Sequence, residues 1–215
     1  MPKFIRIARV IGVISTIIIY ALLVHHINTI NTPNSLGAIL ALMPIFLLVF
    51  SYAWKTGSNI FRISALLVLL TLSWALWATI KLHTGIIFWL LDVGLMLTLM
   101  MTFGRTLLSN RKPLCVHFAE IINGGSLPVE HEIYARWVTV AWVIFFAVIS
   151  ITSTLLFFLT SLATWSFFVN FLTLPLVALM FICEFLVRRN LLTNLPAGHV
   201  LDAVKAYLDK STHVR

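Results

Sequence analysis

Six long stretches of mainly apolar residues follow one another along this chain, and all but one of the segments between them contain charged residues, proline or glycine. They cover approximately residues 8–24, 36–54, 63–80, 86–104, 137–160 and 165–188. A bilayer core about 30 Å thick is crossed by roughly 17–25 residues of α-helix. Because unpaired backbone amides are costly in hydrocarbon, each stretch is predicted to be a membrane-spanning helix.

The composition of the chain supports a membrane protein. Of its 215 residues, 60% are hydrophobic and 10% are charged, whereas soluble domains have about 45–50% and about 25%. Polar side chains are too few to cover a globule in water, which excludes a soluble enzyme, a disordered protein and a disulfide-stapled secreted module. The predicted fold is an all-α polytopic membrane protein, a six-helix transmembrane bundle with short amphipathic cytoplasmic helices, and residues 1–215 form a single membrane domain.

The distribution of basic residues predicts the orientation. Of 15 Lys and Arg residues, all except Lys81 lie in the N-terminal tail, the 55–62 loop, the 105–136 segment or the C-terminal tail. Cytoplasmic loops of membrane proteins are enriched in such residues, so both termini and both basic segments are predicted to be cytoplasmic. Cys115 and Cys183 then lie on the reducing side, where no disulfide is expected.

Two amphipathic helices are predicted outside the membrane. In the 105–136 segment, Pro113 is a good first helical residue, apolar residues then recur at helical spacing, and 123–125 ends the helix. A second helix begins near 128 and continues into the fifth span. The C-terminal tail carries a similar helix at about 196–210, with apolar and charged residues on opposite sides.

The basic cytoplasmic face has two interpretations. Its candidate docking residues are Arg105, Arg111, Lys112 and Arg136. One interpretation is attraction to anionic lipids together with topology control. The other is docking of an acidic cytosolic partner, which complementary charge would steer. The net charge of +8 is explained by the membrane, so lipids are predicted as partners and nucleic acid is not.

Polar residues inside the apolar stretches are the candidate site. Asp92 lies about six residues from the outer end of the fourth span, and Asn170 lies at a matching depth in the sixth. A carboxylate there costs several kcal/mol unless it is paired, hydrated or protonated. The further candidates Lys81, His83, His25 and His26 lie near the same outer side. These polar residues have two interpretations. Either they form together a proton- or substrate-handling cluster, or Asp92 forms a structural pair with Lys81 or with Asn170 that fixes helix register.

Two further patterns are read as structural. Glu184 precedes Arg188 by four residues, a spacing that predicts an ion pair on one helix face. Small residues recur every four positions in the first span (Ala8, Gly12, Thr16) and in the fourth (Gly94, Thr98, Thr102). These repeats are predicted to be packing seams, because small residues let helices approach closely.

Motifs of known catalytic sites are missing from the sequence. It contains no Gly-x-Ser-x-Gly, no phosphate-binding loop and no cysteine–histidine metal cluster. No catalytic residue, metal site or cofactor is predicted. The absence favours a non-enzymatic protein but leaves enzymatic activity undecided, because intramembrane enzymes can use unfamiliar sites.

Two stretches of the C-terminal half resemble a known family. The first is Phe103-Gly104-Arg105-Thr106-Leu107, Pro113-Leu114, Phe118-Ala119, Gly125, Leu127-Pro128 and Tyr134-x-Arg136-x-Val138-Thr139-x-x-Trp142. The second is Trp165-Ser166-x-Phe168-Val169-Asn170, Pro175-Leu176-Val177-Ala178-Leu179-Met180-Phe181, Glu184 and Arg188-Arg189. Together they resemble an uncharacterised family of bacterial inner-membrane proteins whose genes often lie among those for aryl-polyene or fatty-acid-type biosynthesis. The resemblance implies a role in acyl or polyene lipid assembly at the inner membrane. Neighbouring biosynthetic enzymes and acyl carrier protein, which is acidic, are the partners that it implies.

Three functions remain open from the sequence. The first is a non-catalytic component that recruits or organises a lipid or aryl-polyene assembly apparatus. The second is a transporter or flippase of a lipidic product that uses Asp92 and Asn170. The third is an intramembrane enzyme of unknown class.

Overall fold

Helices make up the part of the chain that the structure describes. This computed structural model describes residues 3–30, 32–55, 59–108, 112–123 and 125–191, with side chains from Ala8 onward. The elements are α1 (Lys3–Ile30), α2 (Ser35–Lys55), α3 (Asn59–Ala75), α4 (Trp77–Leu82), α5 (Thr84–Leu108), α6 (Leu114–Asn123), α7 (Val129–Leu159), α8 (Leu162–Phe167), a π turn (Phe168–Leu172) and α9 (Thr173–Leu191). No strand occurs in these ranges, so the predicted all-α class is confirmed. The predicted helix at 196–210 and the candidate Arg111 lie outside the described residues.

Five helical segments are long and apolar enough to cross a membrane. They are Ala8–Ile30, Ser35–Lys55, Thr84–Leu108, Val129–Leu159 and Leu162–Leu191. Large apolar side chains are exposed along most of their length. Such a surface needs an apolar solvent, and the chain therefore has the architecture of a multi-pass membrane protein.

The third predicted span, at 63–80, is divided in the structure. Helix α3 has 17 residues, about 26 Å of helix, which is shorter than a bilayer core of about 30 Å. A bend at Leu76, where φ is −97° and ψ is 10°, separates it from α4. Backbone hydrogen bonds nevertheless continue across the bend, from the Leu76 amide to Leu72 and from the Ile80 amide to Leu76.

Pro44 lies inside α2 and removes one backbone hydrogen bond. Because proline has no N–H, the carbonyl of Leu40, four residues earlier, loses its helical donor. The Tyr20 hydroxyl of α1 donates to this carbonyl at 3.1 Å. A side chain of the neighbouring helix thus supplies the donor that α2 cannot provide in an apolar environment.

The chain divides into two compact units, which are described separately. The first comprises residues 1–93 and 153–174, and the second comprises 94–152 and 175–215. In the first unit, α1 packs against α2, α8 and the π turn. Its core contains the buried side chains of Val24, Ala41, Phe88 and Trp165.

In the second unit, side chains of α5 and α7 hold the start of α6. The Thr106 hydroxyl of α5 accepts the Leu114 amide at 3.1 Å, and the Thr139 hydroxyl of α7 accepts the Cys115 amide at 3.2 Å. The first amides of a helix have no partner within it, so these two threonines cap α6. Val116, which is fully buried, adds an apolar contact.

Among the described residues, the glycines of the small-residue repeats pack against no other helix, which corrects the predicted packing seams for this part of the chain. A Cβ atom built on Gly12 or Gly94 would meet no atom of the described residues within 4 Å. The Thr16, Thr98 and Thr102 hydroxyls donate to carbonyls of their own helices. These hydrogen bonds satisfy the threonines locally, so the repeats do not require a neighbouring helix.

Candidate functional site

Asp92 is joined to two buried side chains of the first unit. Its Oδ2 accepts a hydrogen bond of 2.5 Å from the Ser153 hydroxyl of α7. Ser153 Oγ in turn accepts the Trp165 indole N–H of α8 at 3.0 Å. Ser153 is fully buried and Trp165 is 1% exposed. Three helices therefore converge on one serine hydroxyl.

Chemistry fixes the direction of this chain of hydrogen bonds. The indole nitrogen can only donate, so it occupies an acceptor position on Ser153. The hydroxyl proton is then directed at Asp92, which accepts through Oδ2. Oδ1 of Asp92 has no hydrogen-bond partner among the described residues.

A second set of polar side chains surrounds Ser166, the residue after Trp165. Its hydroxyl contacts Asn28 Nδ2 of α1 and Asn170 Nδ2 of the π turn, each at 3.1 Å. Asn170 Nδ2 also donates to the Ser166 carbonyl at 2.8 Å. Ser166 is fully buried and Asn28 is 2% exposed. We call the six residues Asp92, Ser153, Trp165, Asn28, Ser166 and Asn170 the polar network.

The Asn28 end of the network contains polar atoms without a partner. Asn28 Oδ1 is buried and accepts no hydrogen bond from the described residues. If the amide were rotated, its nitrogen would be left unpaired instead. His25, one turn earlier on α1, has a buried and unpartnered Nδ1. Its ring lies edge-on to Phe171, with the two centroids 5.2 Å apart.

The π turn places Asn170 within the network. The Thr173 amide bonds to the Phe168 carbonyl, five residues back, and the Thr173 hydroxyl contacts the same carbonyl at 3.3 Å. Single π turns inside α-helices are rare and frequently occur at functional sites. In the sequence, the turn is followed closely by Pro175, whose missing N–H also disturbs the helical pattern.

The structure places Asp92 and Asn170 in two neighbouring hydrogen-bonded sets and gives each of them a partner other than the predicted one. The proposed pairs Asp92–Asn170 and Asp92–Lys81 are both wrong, because no such bond occurs among the described residues. Lys81, His83 and His26 contribute no side-chain hydrogen bond or ion pair to the network. Asp92 and Asn170 are instead connected through the adjacent residues Trp165 and Ser166.

Four members of the network, Asn28, Ser153, Trp165 and Ser166, were not predicted as site residues from the sequence. Asn28 lies beyond the predicted end of the first span, and its position in a longer α1 could have identified it. Ser153, Trp165 and Ser166 carried no distinctive signal, because serine and tryptophan are common in membrane helices. Only the packing of α8 against its neighbours shows their role.

Glu184 belongs to the second unit and has a structural environment. Its Oε1 lies 3.5 Å from Arg188 Nε, which confirms the predicted ion pair. The Tyr134 hydroxyl of α7 donates to the Glu184 carbonyl at 3.1 Å. The Tyr134 side chain therefore links α7 to the backbone of α9.

The described docking candidates differ in their environment. Arg105 and Arg136 are exposed and form no ion pair among the described residues. Lys112 Nζ lies 2.7 Å from Glu120 Oε1, and this hydrogen bond with its charge raises the pKa of Lys112. Lys112 is therefore already paired within the chain.

Cys115 on α6 is a half-buried free thiol. Burial raises the pKa of Cys115, the nearby Glu184 carboxylate raises it further, and the hydrogen bond to Thr139 opposes both effects. A raised pKa disfavours the nucleophilic thiolate. No group of three or more His, Cys, Asp or Glu side chains that could hold a metal occurs within the described ranges.

Comparisons with protein-family models, with curated proteins and with solved structures find no match to this chain.

Proposed function

We propose that this chain is a non-catalytic protein of a bacterial inner membrane that recruits an acidic partner of a lipid or aryl-polyene assembly apparatus. The observation that carries the proposal is that the guanidinium groups of Arg105 and Arg136 are exposed and form no ion pair with any residue that the structure describes. Arginine binds carboxylates and phosphates through a planar fork of N–H donors. An acidic protein such as acyl carrier protein fits this chemistry and the family resemblance of the C-terminal half.

The neighbourhood of these arginines supports a rigid docking surface. Arg105 directly precedes Thr106, and Arg136 lies one turn before Thr139 on α7. These are the two threonines that cap α6. Exposed apolar side chains lie nearby in the sequence, including Leu108 and Trp137. Aromatic residues and arginine are enriched at protein interfaces, so the surface combines steering charge with apolar contact area.

The proposal includes six membrane crossings with both termini in the cytoplasm. Residues 59–82, which contain α3, the bend and α4, form about 36 Å of helix and would supply the sixth crossing. Continuous hydrogen bonding across Leu76 supports this assignment. An even number of crossings places 14 of the 15 basic residues on the same side, as the positive-inside rule requires.

Binding of acyl carrier protein to the reconstituted chain tests the proposal. We expect the double variant Arg105→Glu with Arg136→Glu to bind at least about tenfold more weakly than the unmodified protein, because like charges repel across an interface. Affinity is measured in nanodiscs of zwitterionic lipid at low and high salt, since screening weakens a charge-steered interaction.

The matched control for this test is Lys55→Glu. Lys55 is an exposed cation on the same predicted side of the membrane, at the end of α2. The Lys55→Glu variant should bind acyl carrier protein with the same affinity as the unmodified protein. Equal binding by the double variant and the unmodified chain would contradict docking, and equal losses in all variants would indicate unspecific attraction.

A transporter or flippase of a lipidic product is the second candidate. The buried Oδ1 of Asn28, which accepts no hydrogen bond from the described residues, favours it, because a polar atom buried without a partner is costly unless it binds a ligand or water. Replacement of Asp92 by Asn keeps an acceptor for Ser153 but removes the charge. We expect this variant to fold and to lose export of the lipidic product from cells. Full export by a folded Asp92→Asn variant would exclude transport through this carboxylate.

A further inference from the structure

An apolar groove runs between α2, α3 and α4 in the first unit. Its volume is about 360 Å³. One wall is a face of α2 between Ile39 and Phe46, and the other is formed by Leu70, Ser73 and Trp77. Each wall covers eight residues of the chain, 39–46 and 70–77, which corresponds to about 10 Å of helix.

The walls of the groove favour an apolar occupant. Ser73 provides the one hydroxyl among the lining side chains, and this hydroxyl donates to the Leu69 carbonyl at 2.7 Å. The Ser73 proton is used within its own helix, so this hydroxyl offers an occupant no free donor. Ile39, Met43 and Leu70 are exposed at its edges, and the groove is thus open to the surroundings of the helices.

A cation lies one helical turn beyond the groove. Lys81 follows Trp77 by four residues on α4, and residues at this spacing share a helix face. Lys81 is half-buried and forms no ion pair within the described part of the chain. It is also the one basic residue outside the four cytoplasmic segments. An ammonium at the end of an apolar groove is complementary to a molecule with an anionic head and an aliphatic chain.

We propose that this groove binds an anionic phospholipid, with an acyl chain against Trp77 and Ser73 and the phosphate at Lys81. The basis is the charge complementarity of Lys81 together with the apolar walls. The groove lies in the first unit, and the inference is independent of partner recruitment. A phospholipid is the favoured source, since the bilayer surrounds the groove with such molecules.

Native mass spectrometry of the full chain released from detergent tests the proposal. The probes are phosphatidylglycerol and phosphatidylcholine with identical acyl chains, added at equal concentrations. We expect the unmodified protein to retain phosphatidylglycerol about fivefold more than phosphatidylcholine, as expected for one basic residue near a headgroup. Lys81→Gln should abolish this preference, and Ser73→Phe, which fills the groove, should reduce the retention of both lipids.

Two matched variants distinguish a site from general attraction. Lys55→Gln removes an exposed cation at the other end of α2. Ser51→Phe enlarges an exposed serine whose hydroxyl bonds to its own helix, as Ser73 does, but outside the groove. Both should retain lipid as the unmodified protein does, with helicity checked by circular dichroism.

Several results would overturn the inference. One is equal loss of preference in Lys81→Gln and Lys55→Gln. Another is unchanged retention in a folded Ser73→Phe variant, or in Ser73→Leu if the phenylalanine variant does not fold. A third is displacement of phosphatidylglycerol by an equal concentration of oleate. This result would identify a free fatty acid, and not a phospholipid, as the occupant.

Discussion

Replacing Ser153 by alanine is expected to lower the midpoint of thermal unfolding by about 5–10 °C. The substitution removes one oxygen atom and leaves almost no cavity. It takes away the hydroxyl that donates to Asp92 and accepts from Trp165. Two buried hydrogen bonds are lost, at about 1–1.5 kcal/mol each. For a chain of this size, each kcal/mol corresponds to about 2–4 °C.

The measurement is loss of helical circular dichroism on heating in a mild detergent. Ser51→Ala is the matched control, because the exposed Ser51 hydroxyl bonds to the Leu47 carbonyl of its own helix. The control should unfold within about 2 °C of the unmodified chain, as surface substitutions usually do. An equally small shift for Ser153→Ala would show that the Asp92–Ser153–Trp165 chain contributes little to stability.

A second substitution identifies the origin of the loss. In the Ser153→Ala background, Asp92→Leu should raise the unfolding midpoint, because it removes a carboxylate that has lost its donor. Contacting residues give such non-additive effects, whereas independent sites give additive ones. Additive behaviour of the two substitutions would contradict a direct interaction between Asp92 and Ser153.

Replacing Gly37 by leucine is expected to destabilise the first unit by at least about 2 kcal/mol, or about 4–8 °C. Gly37 is buried in α2. A Cβ atom there would lie 3.0 Å from the Ile27 Cγ2 of α1 and 3.4 Å from the Thr84 Cγ2 of α5. Both neighbours are β-branched and have few alternative rotamers, so they cannot easily move aside.

Gly94→Leu is the matched control for this substitution. Gly94 also lies in an apolar helix, but its Cβ position has no neighbour within 4 Å among the described residues. Leucine favours helix over glycine by up to about 1 kcal/mol, so this variant should be neutral or slightly stabilised. A larger loss at Gly94 than at Gly37 would make the small-residue repeat the true packing seam. Size-exclusion chromatography would then show whether the seam joins two copies of the chain.

The two predictions also bear on the candidate functions. If Ser153→Ala lowers the unfolding midpoint strongly, the hydrogen bonds among Asp92, Ser153 and Trp165 hold α5, α7 and α8 together. The Asn28 end, where Asn28 Oδ1 and the neighbouring His25 Nδ1 have no partner among the described residues, would then be the part of the network available for a ligand. The docking residues Arg105 and Arg136 lie in the second unit and are not members of the polar network.

The sequence by itself determined the properties that depend on local composition. Long apolar stretches must be helical in hydrocarbon, so the all-α class followed from their length and content. Residues four apart on a helix are neighbours in any packing, which is why the Glu184–Arg188 pair was predicted correctly. Proline and glycine marked the limits of α6 in the same local way.

The tertiary structure alone decided which residues meet across helices. Apolar residues surround these helices on nearly every side, so the pattern does not indicate which face packs against a neighbour. The partner of Asp92 proved to be a serine 61 positions away, and close approach of a neighbouring helix occurs at Gly37, whereas Gly12 and Gly94 have no neighbour within 4 Å among the described residues. Both depend on the contacts between helices, and a helical period encodes only the arrangement of side chains around a single helix.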